Sequence, residues 1–125
     1  MPHKKEVVYF LKKKKKIVKI TNTCNILKTD NQNNLIGDMT DIKGFKISIK
    51  ELGLEVKNKD ILLVGAGGIG ASLSHYFLTE GTRKVRIHDI DIEKSQQIYN
   101  EIRKKNTKFN YKIWNYNKKK FDFII

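Results

Sequence analysis

The sequence predicts an α/β fold, and two observations carry the prediction. The apolar run from Ile61 to Val64 breaks into four glycines within six residues, after which Ile69, Leu73, Tyr76 and Phe77 recur at helical spacing. A second apolar run, Val85 to His88, follows, and Ser95, Ile98, Tyr99 and Ile102 then mark the inner face of a helix from about Ile92 to Lys104. Strand, helix, strand, helix with short connections is the order of half a doubly wound parallel sheet.

Ahead of that unit, Val7, Val8 and Leu11 share one helical face, which predicts a helix from about Lys5 to Lys15 with Pro2 in its lead-in turn. Ile17 to Leu27 mixes Ile, Val and Thr, residues suited to a pleated surface, and Leu35-Ile36 is a second short strand. The polar cluster KTDNQNN between them predicts a hairpin or a pair of neighbouring strands. Ile42, Phe45, Ile49 and Leu52 then recur at three and four, with Thr40 or Asp41 placed to cap the helix and Gly53 to stop it. Gly81 ends the glycine-turn helix, Tyr111 to Trp114 reads as a third strand, and Phe121 to Ile125 is a last apolar run.

A chain of 125 residues suggests one domain, yet only one complete mononucleotide-binding half is legible in it. The single cysteine, Cys24, excludes an internal disulfide and fits a reducing compartment. Apolar runs are too short for a membrane span or a signal-peptide core, so the expected setting is cytoplasmic, with no membrane partner. The net charge of +13 raises the question of nucleic acid. Its main blocks, Lys12 to Lys16 and Lys118 to Lys120, lack interleaved aromatics and any zinc-ligand, RNP or helix-turn-helix pattern. They read as solvated faces, with neither nucleic acid nor a metal expected.

The glycine stretch, Gly65-Ala66-Gly67-Gly68-Ile69-Gly70, has the pattern of a dinucleotide-binding turn. Gly65 would make the turn, Gly67 would admit a pyrophosphate to the backbone, and Gly70 would allow close helix–strand packing. Free N–H groups at the helix start would hold the phosphates. Twenty-four residues beyond Gly65, Asp89 ends the second strand, where a carboxylate accepts from ribose hydroxyls and repels a 2′-phosphate. The cofactor expected is therefore NAD, with NADP disfavoured. Asp91 suits a helix N-cap as well as this site, and Lys94 adds a nearby charge. His3 and His75 are expected to be structural, and His88 a strand residue.

Three motifs ahead of the glycine turn add a substrate. PHK at Pro2 to Lys4, Asn25, and GDMTDIKGF at Gly37 to Phe45, followed by LLVGAGG, resemble the shikimate dehydrogenases, including the quinate-using and NAD-using branches. The resemblance runs through essentially the whole chain. It implies an NAD(P)-dependent oxidoreductase interconverting 3-dehydroshikimate and shikimate on the route to chorismate and aromatic amino acids. It also implies a substrate-binding α/β domain joined to a Rossmann domain. On that basis Lys4 would be the acid/base on the reacting oxygen, Asp41 its partner, and Asn25 a hydrogen-bonding contact to a ring hydroxyl. Residues 1–41 would be the remainder of the substrate domain, 42–58 a linking helix and turn, and 59–125 the first half of the Rossmann domain.

The family's N-T-D-G-x-G reads Met39-Thr40-Asp41-Ile42-Lys43-Gly44, and its A-V-N reads Thr23-Cys24-Asn25, which leaves shikimate and quinate both open. NADP-using members carry an N-R-T stretch where this chain has Asp89-Ile90-Asp91, without the arginine. The family's substrate-carboxylate serines precede PHK, and its later nicotinamide contacts follow the strand at Phe121 to Ile125. The chain is therefore expected to be a fragment with little or no activity alone. A non-catalytic dinucleotide-binding module is the alternative, and a basic nucleic-acid binder a more distant one.

Overall fold

In the computed structural model, which describes residues 3–117 and 120–125, the first segment departs from the expected helix. A short 3-10 turn covers Glu6–Phe10 and buries Val8, after which Lys13–Lys14 forms strand β1 and Lys16–Thr21 forms helix α1. The expected helix from Lys5 to Lys15 fails because Leu11, extended at φ −78° and ψ 123°, turns into the core and sends the lysines along a strand. The β-branched run after Lys15 is helical because Val18 and Thr21, three apart, are both fully buried on its inner face. Packing here overrides intrinsic preference. Pro2 and the lysines at 118 and 119 lie outside the described residues.

Strands β2 (Ile26–Thr29) and β3 (Leu35–Asp38) pair antiparallel, with Leu27 opposite Gly37. β1 adds in parallel on the far side of β3, giving the order β1-β3-β2. Their hairpin is built as its polar composition predicts: one Asp30 carboxylate oxygen accepts from the backbone N–H groups of Gln32 and Asn34 at 2.9 and 3.0 Å. The basic run is solvated but not idle, since Lys13 reaches Asp30 at 2.7 Å and Lys15 pairs with Asp38.

Helix α2 (Asp41–Glu51) leads to β4 (Asp60–Val64), α3 (Gly68–Thr79), β5 (Lys84–His88), α4 (Ile92–Lys105), β6 (Tyr111–Ile113) and β7 (Phe123–Ile124). Gly53, at φ +67°, stops α2 as expected. The four strands are all parallel in the order β6-β5-β4-β7. After β6 the chain crosses back and pairs on the other side of β4. The strand order therefore reverses at β4, and the carboxyl ends of β4 and β7 flank the crevice where such sheets bind ligands.

Ile61, Leu63, Val85, Ile87, Phe77, Ile98 and Ile102 pack the sheet against α3 and α4, all nearly or fully buried. Phe45 of α2 meets Tyr76 and Phe77 edge-on, with centroids 5.8 and 6.1 Å apart. The N-terminal segment is fixed to α3 by a buried hydrogen bond between the Thr23 and Ser72 hydroxyls, 2.5 Å apart. At the amino end of β4, Asp60 binds Arg83 at 2.6 Å and pairs with Lys84, and the Arg83 hydrogen bond above all holds its carboxyl below the usual carboxylate range.

Candidate active site

β4 ends in a turn that needs glycine at two positions. Gly65 has φ +106°, a backbone region costly for residues with a Cβ. A Cβ on Gly70 would lie 2.0 Å from the Gly65 carbonyl oxygen, so the helix approaches the strand end only because that position is bare. Gly67 occupies the N-cap position of α3 and faces open space, with nothing within 4 Å of a notional Cβ. The first-turn amides of this 12-residue helix lack intrahelical acceptors, which makes the opening suited to an anion.

Asp89 is built into the turn. One carboxylate oxygen accepts from the Ala66 N–H at 2.6 Å and the other from the Asp91 N–H at 2.8 Å. These bonds, the Ala66 amide first, hold the carboxyl below its ordinary range. Each oxygen keeps a further lone pair. Asp91 is the N-cap of α4, accepting from the Glu93 N–H at 3.1 Å, and Lys94 lies 3.6 Å from Asp91.

On the other side of the crevice, Lys4 and Asp41 form an ion pair, part-buried with side chains 11% and 25% exposed. Asn25 donates to the second Asp41 oxygen at 2.8 Å and to the Thr40 hydroxyl at 3.1 Å, and its own carbonyl accepts from the Thr40 N–H at 3.0 Å. Thr40 stands at the N-cap position of α2 without capping through its side chain, and Asp41 opens the helix pointing to Lys4. The Lys4 carbonyl accepts from the Cys24 N–H at 2.8 Å, which ties the lysine to the asparagine-bearing segment. Residues 37 apart in sequence thus share one polar cluster.

That cluster and the glycine turn touch. A Cβ on Gly68 would meet the Lys4 side chain at 3.0 Å, so the lysine stem lies on the first residue of α3. Lys4, Gly65, Gly67, Gly68, Ile69 and Ile125 line the same cleft of about 570 Å³. The arrangement sets an ammonium group beside a carboxylate, next to an anion-binding helix start. It can orient a proton toward a bound oxygen while a phosphate group is held a few residues away.

A second polar cluster was not legible in the sequence. His75 on α3 is fully buried, with Lys105 at 3.2 Å from one ring nitrogen and Glu101 at 3.5 Å from the other. Lys105 also donates to the Ile20 carbonyl of α1 at 2.8 Å, and Lys5 lies 3.6 Å from Glu101. Burial pushes the His75 pKa below its ordinary 6.5, with the Lys105 and Lys5 charges acting in the same direction and Glu101 opposing them. A depressed histidine pKa means that the unfolded chain takes up this proton first as pH falls through about 6.5, so stability declines below that point. The unfolding free energy from urea titrations should fall between about pH 7 and pH 5.5, by at most about 1.4 kcal/mol per pH unit for this one group. His75→Asn should flatten that dependence.

Among the described residues no group of three potential metal ligands is found, and no helix is long and apolar enough to cross a membrane.

The family model for shikimate / quinate 5-dehydrogenase matches residues 46–125. A shikimate dehydrogenase (NADP(+)) from Methanococcus aeolicus is 32% identical over an alignment covering all of this chain and 45% of the relative. The crystal structure of shikimate dehydrogenase from Aquifex aeolicus superposes with a TM-score of 0.75 at 30% identity, covering 92% of this chain and 40% of that one. Quinate dehydrogenase from Corynebacterium glutamicum in complex with NAD shares the fold at a TM-score of 0.73 and 24% identity, covering 90% and 40%. The chain spans less than half the length of each of these proteins. The glycine turn, the parallel sheet around β4 and the family match agree, and the chain belongs to the shikimate / quinate 5-dehydrogenase family.

Proposed function

We propose that this chain supplies the proton-handling cluster and the dinucleotide turn of an NAD(P)-dependent dehydrogenase acting on shikimate or a close cyclic relative such as quinate. The observation that carries the reading is the contact of Lys4 with Gly68, which joins the Lys4–Asp41–Asn25 cluster to the phosphate turn within one cleft. Residues 1–41 then belong to the substrate side and 59–125 to the cofactor side, with α2 between them.

A dinucleotide held by the turn from Gly65 to Gly70 would supply the hydride-transfer chemistry. Lys4 gives its proton to the substrate carbonyl oxygen during reduction and retrieves it during oxidation, while Asp41 keeps the ammonium aimed. Asn25, whose two amide N–H groups are held by Asp41 and Thr40, offers the remaining lone pair of its carbonyl oxygen to a ring hydroxyl. Gly65 to Gly70 hold the pyrophosphate, and Gly67 leaves the backbone open to it.

Asp89 accepts from the adenosine ribose on its remaining lone pairs and disfavours a 2′-phosphate, so NAD is the preferred cofactor although the Methanococcus relative is named for NADP(+). Asp91 acts as a helix cap and contributes negative charge nearby, which Lys94 partly offsets.

Calorimetric titration with NAD and NADP tests the reading. NAD should bind at least about tenfold more tightly, a difference of roughly 1.4 kcal/mol. Asp89→Asn should narrow that gap. Tighter binding of NADP would overturn the cofactor preference, and binding of neither dinucleotide would overturn the cofactor role of the turn.

A further inference from the structure

A group of aromatic rings stands at the same end of the sheet as the glycine turn, and the residues discussed so far make no use of it. Trp114 follows β6, its backbone N–H donating to the Ile87 carbonyl at 2.8 Å, which sets it level with the end of β5. Its ring lies 5.9 Å from His88 and 5.0 Å from Tyr116, and Tyr116 lies 5.1 Å from His88. The Tyr116 hydroxyl is 3.1 Å from a His88 ring nitrogen.

Two features set this group apart from ordinary packing. Tyr116 is 66% exposed, with its ring face open in this chain. It also sits at φ +59°, a left-handed conformation uncommon for a bulky residue, so the backbone holds the ring beside His88 against its own preference. His88 directly precedes Asp89, whose carboxylate is fastened to the phosphate turn.

We infer that His88, Trp114 and Tyr116 form a stacking platform for the adenine base of the dinucleotide. This rests on the dinucleotide reading above and adds residues to it. With the pyrophosphate at Gly67 and the ribose at Asp89, the base must lie one glycosidic bond further on. The platform begins one residue before Asp89 at that same sheet end, and an exposed aromatic face offers any base a π surface. The hydrogen bond to His88 fixes the tyrosine before ligand arrives, which lowers the ordering cost of binding.

Trp114 is the only tryptophan of the chain and reports on the site directly. Its fluorescence should change on titration with NAD, ADP-ribose or AMP. Tyr116→Gly should weaken NAD and ADP-ribose binding by about 5- to 150-fold, the range expected for loss of one base–aromatic stack. Glycine relaxes the left-handed backbone, so the variant should melt no lower than the wild type, and a loss of affinity is then not a loss of fold. Tyr116→Phe, which keeps the ring, should bind within a few-fold of wild type. Unchanged affinity for NAD and ADP-ribose in Tyr116→Gly would overturn the platform while leaving the dinucleotide reading intact. Failure of the wild type to bind NAD, ADP-ribose or AMP would overturn both.

Discussion

Gly70→Ala is expected to destabilise the chain by about 3 kcal/mol or more and to abolish dinucleotide binding, as measured by urea unfolding and calorimetry. The added methyl group would lie 2.0 Å from the Gly65 carbonyl oxygen and 2.9 Å from its carbonyl carbon. Both are backbone atoms, so no side chain can swing aside; either α3 lifts from β4 or the turn is rebuilt. Lifting α3 exposes Ala71, Leu73 and Phe77, which are now buried. Gly67→Ala is the matched contrast. A Cβ there meets open space and the backbone φ is −75°, so stability should change by well under about 1 kcal/mol. Dinucleotide affinity should still fall, because the methyl group occupies the room a pyrophosphate would use. Equal stability of wild type and Gly70→Ala would show that the helix start is not held as close to the strand as described.

Lys4→Ala is expected to lower shikimate-dependent nicotinamide reduction by about 10²- to 10⁴-fold, the usual contribution of a positioned acid or base. The measurement suits a hybrid enzyme in which these 125 residues replace the matching stretch of the Methanococcus aeolicus relative. NAD affinity should stay within a few-fold, since the lysine only rests its stem on Gly68. Asp41→Asn separates orientation from proton transfer. It keeps the shape and the Asn25 contact but removes the charge that aims the ammonium, and a smaller loss in turnover is expected than for Lys4→Ala. Turnover unaffected by Lys4→Ala would remove this residue from the proton path.

What the sequence disclosed follows from how local each determinant is. The glycine turn was legible because Gly65 and Gly70 act within one turn, and a positive φ and a crowded Cβ are properties of neighbouring residues. Asp91 as the cap of α4, Gly53 as the stop of α2 and the polar cluster KTDNQNN as the turn between β2 and β3 were legible for the same reason. Lys4, Asn25 and Asp41 are separated by up to 37 residues, and only the family resemblance brought them together in advance. The stretch from Lys5 to Leu27 departs from expectation because its pattern fits several elements. Val7, Val8 and Leu11 fit a helix as well as a 3-10 turn, and Ile17, Val18 and Ile20 favour strands until α3 offers a surface to bury Val18 and Thr21. His75 with Glu101 and Lys105, and His88 with Trp114 and Tyr116, depend on elements brought together by the crossovers of the sheet, so no spacing in the chain announces them.

The contact between Lys4 and Gly68 also makes the two halves of the cleft thermodynamically linked. A phosphate group that tightens the first turn of α3 fixes the shelf on which the lysine lies. Occupancy of the turn should then raise the affinity for a ligand held by Lys4. By reciprocity, a substrate that fixes Lys4 should raise affinity for the dinucleotide by the same factor. Mutually cooperative binding of cofactor and substrate would follow from a single glycine too small to keep the two apart.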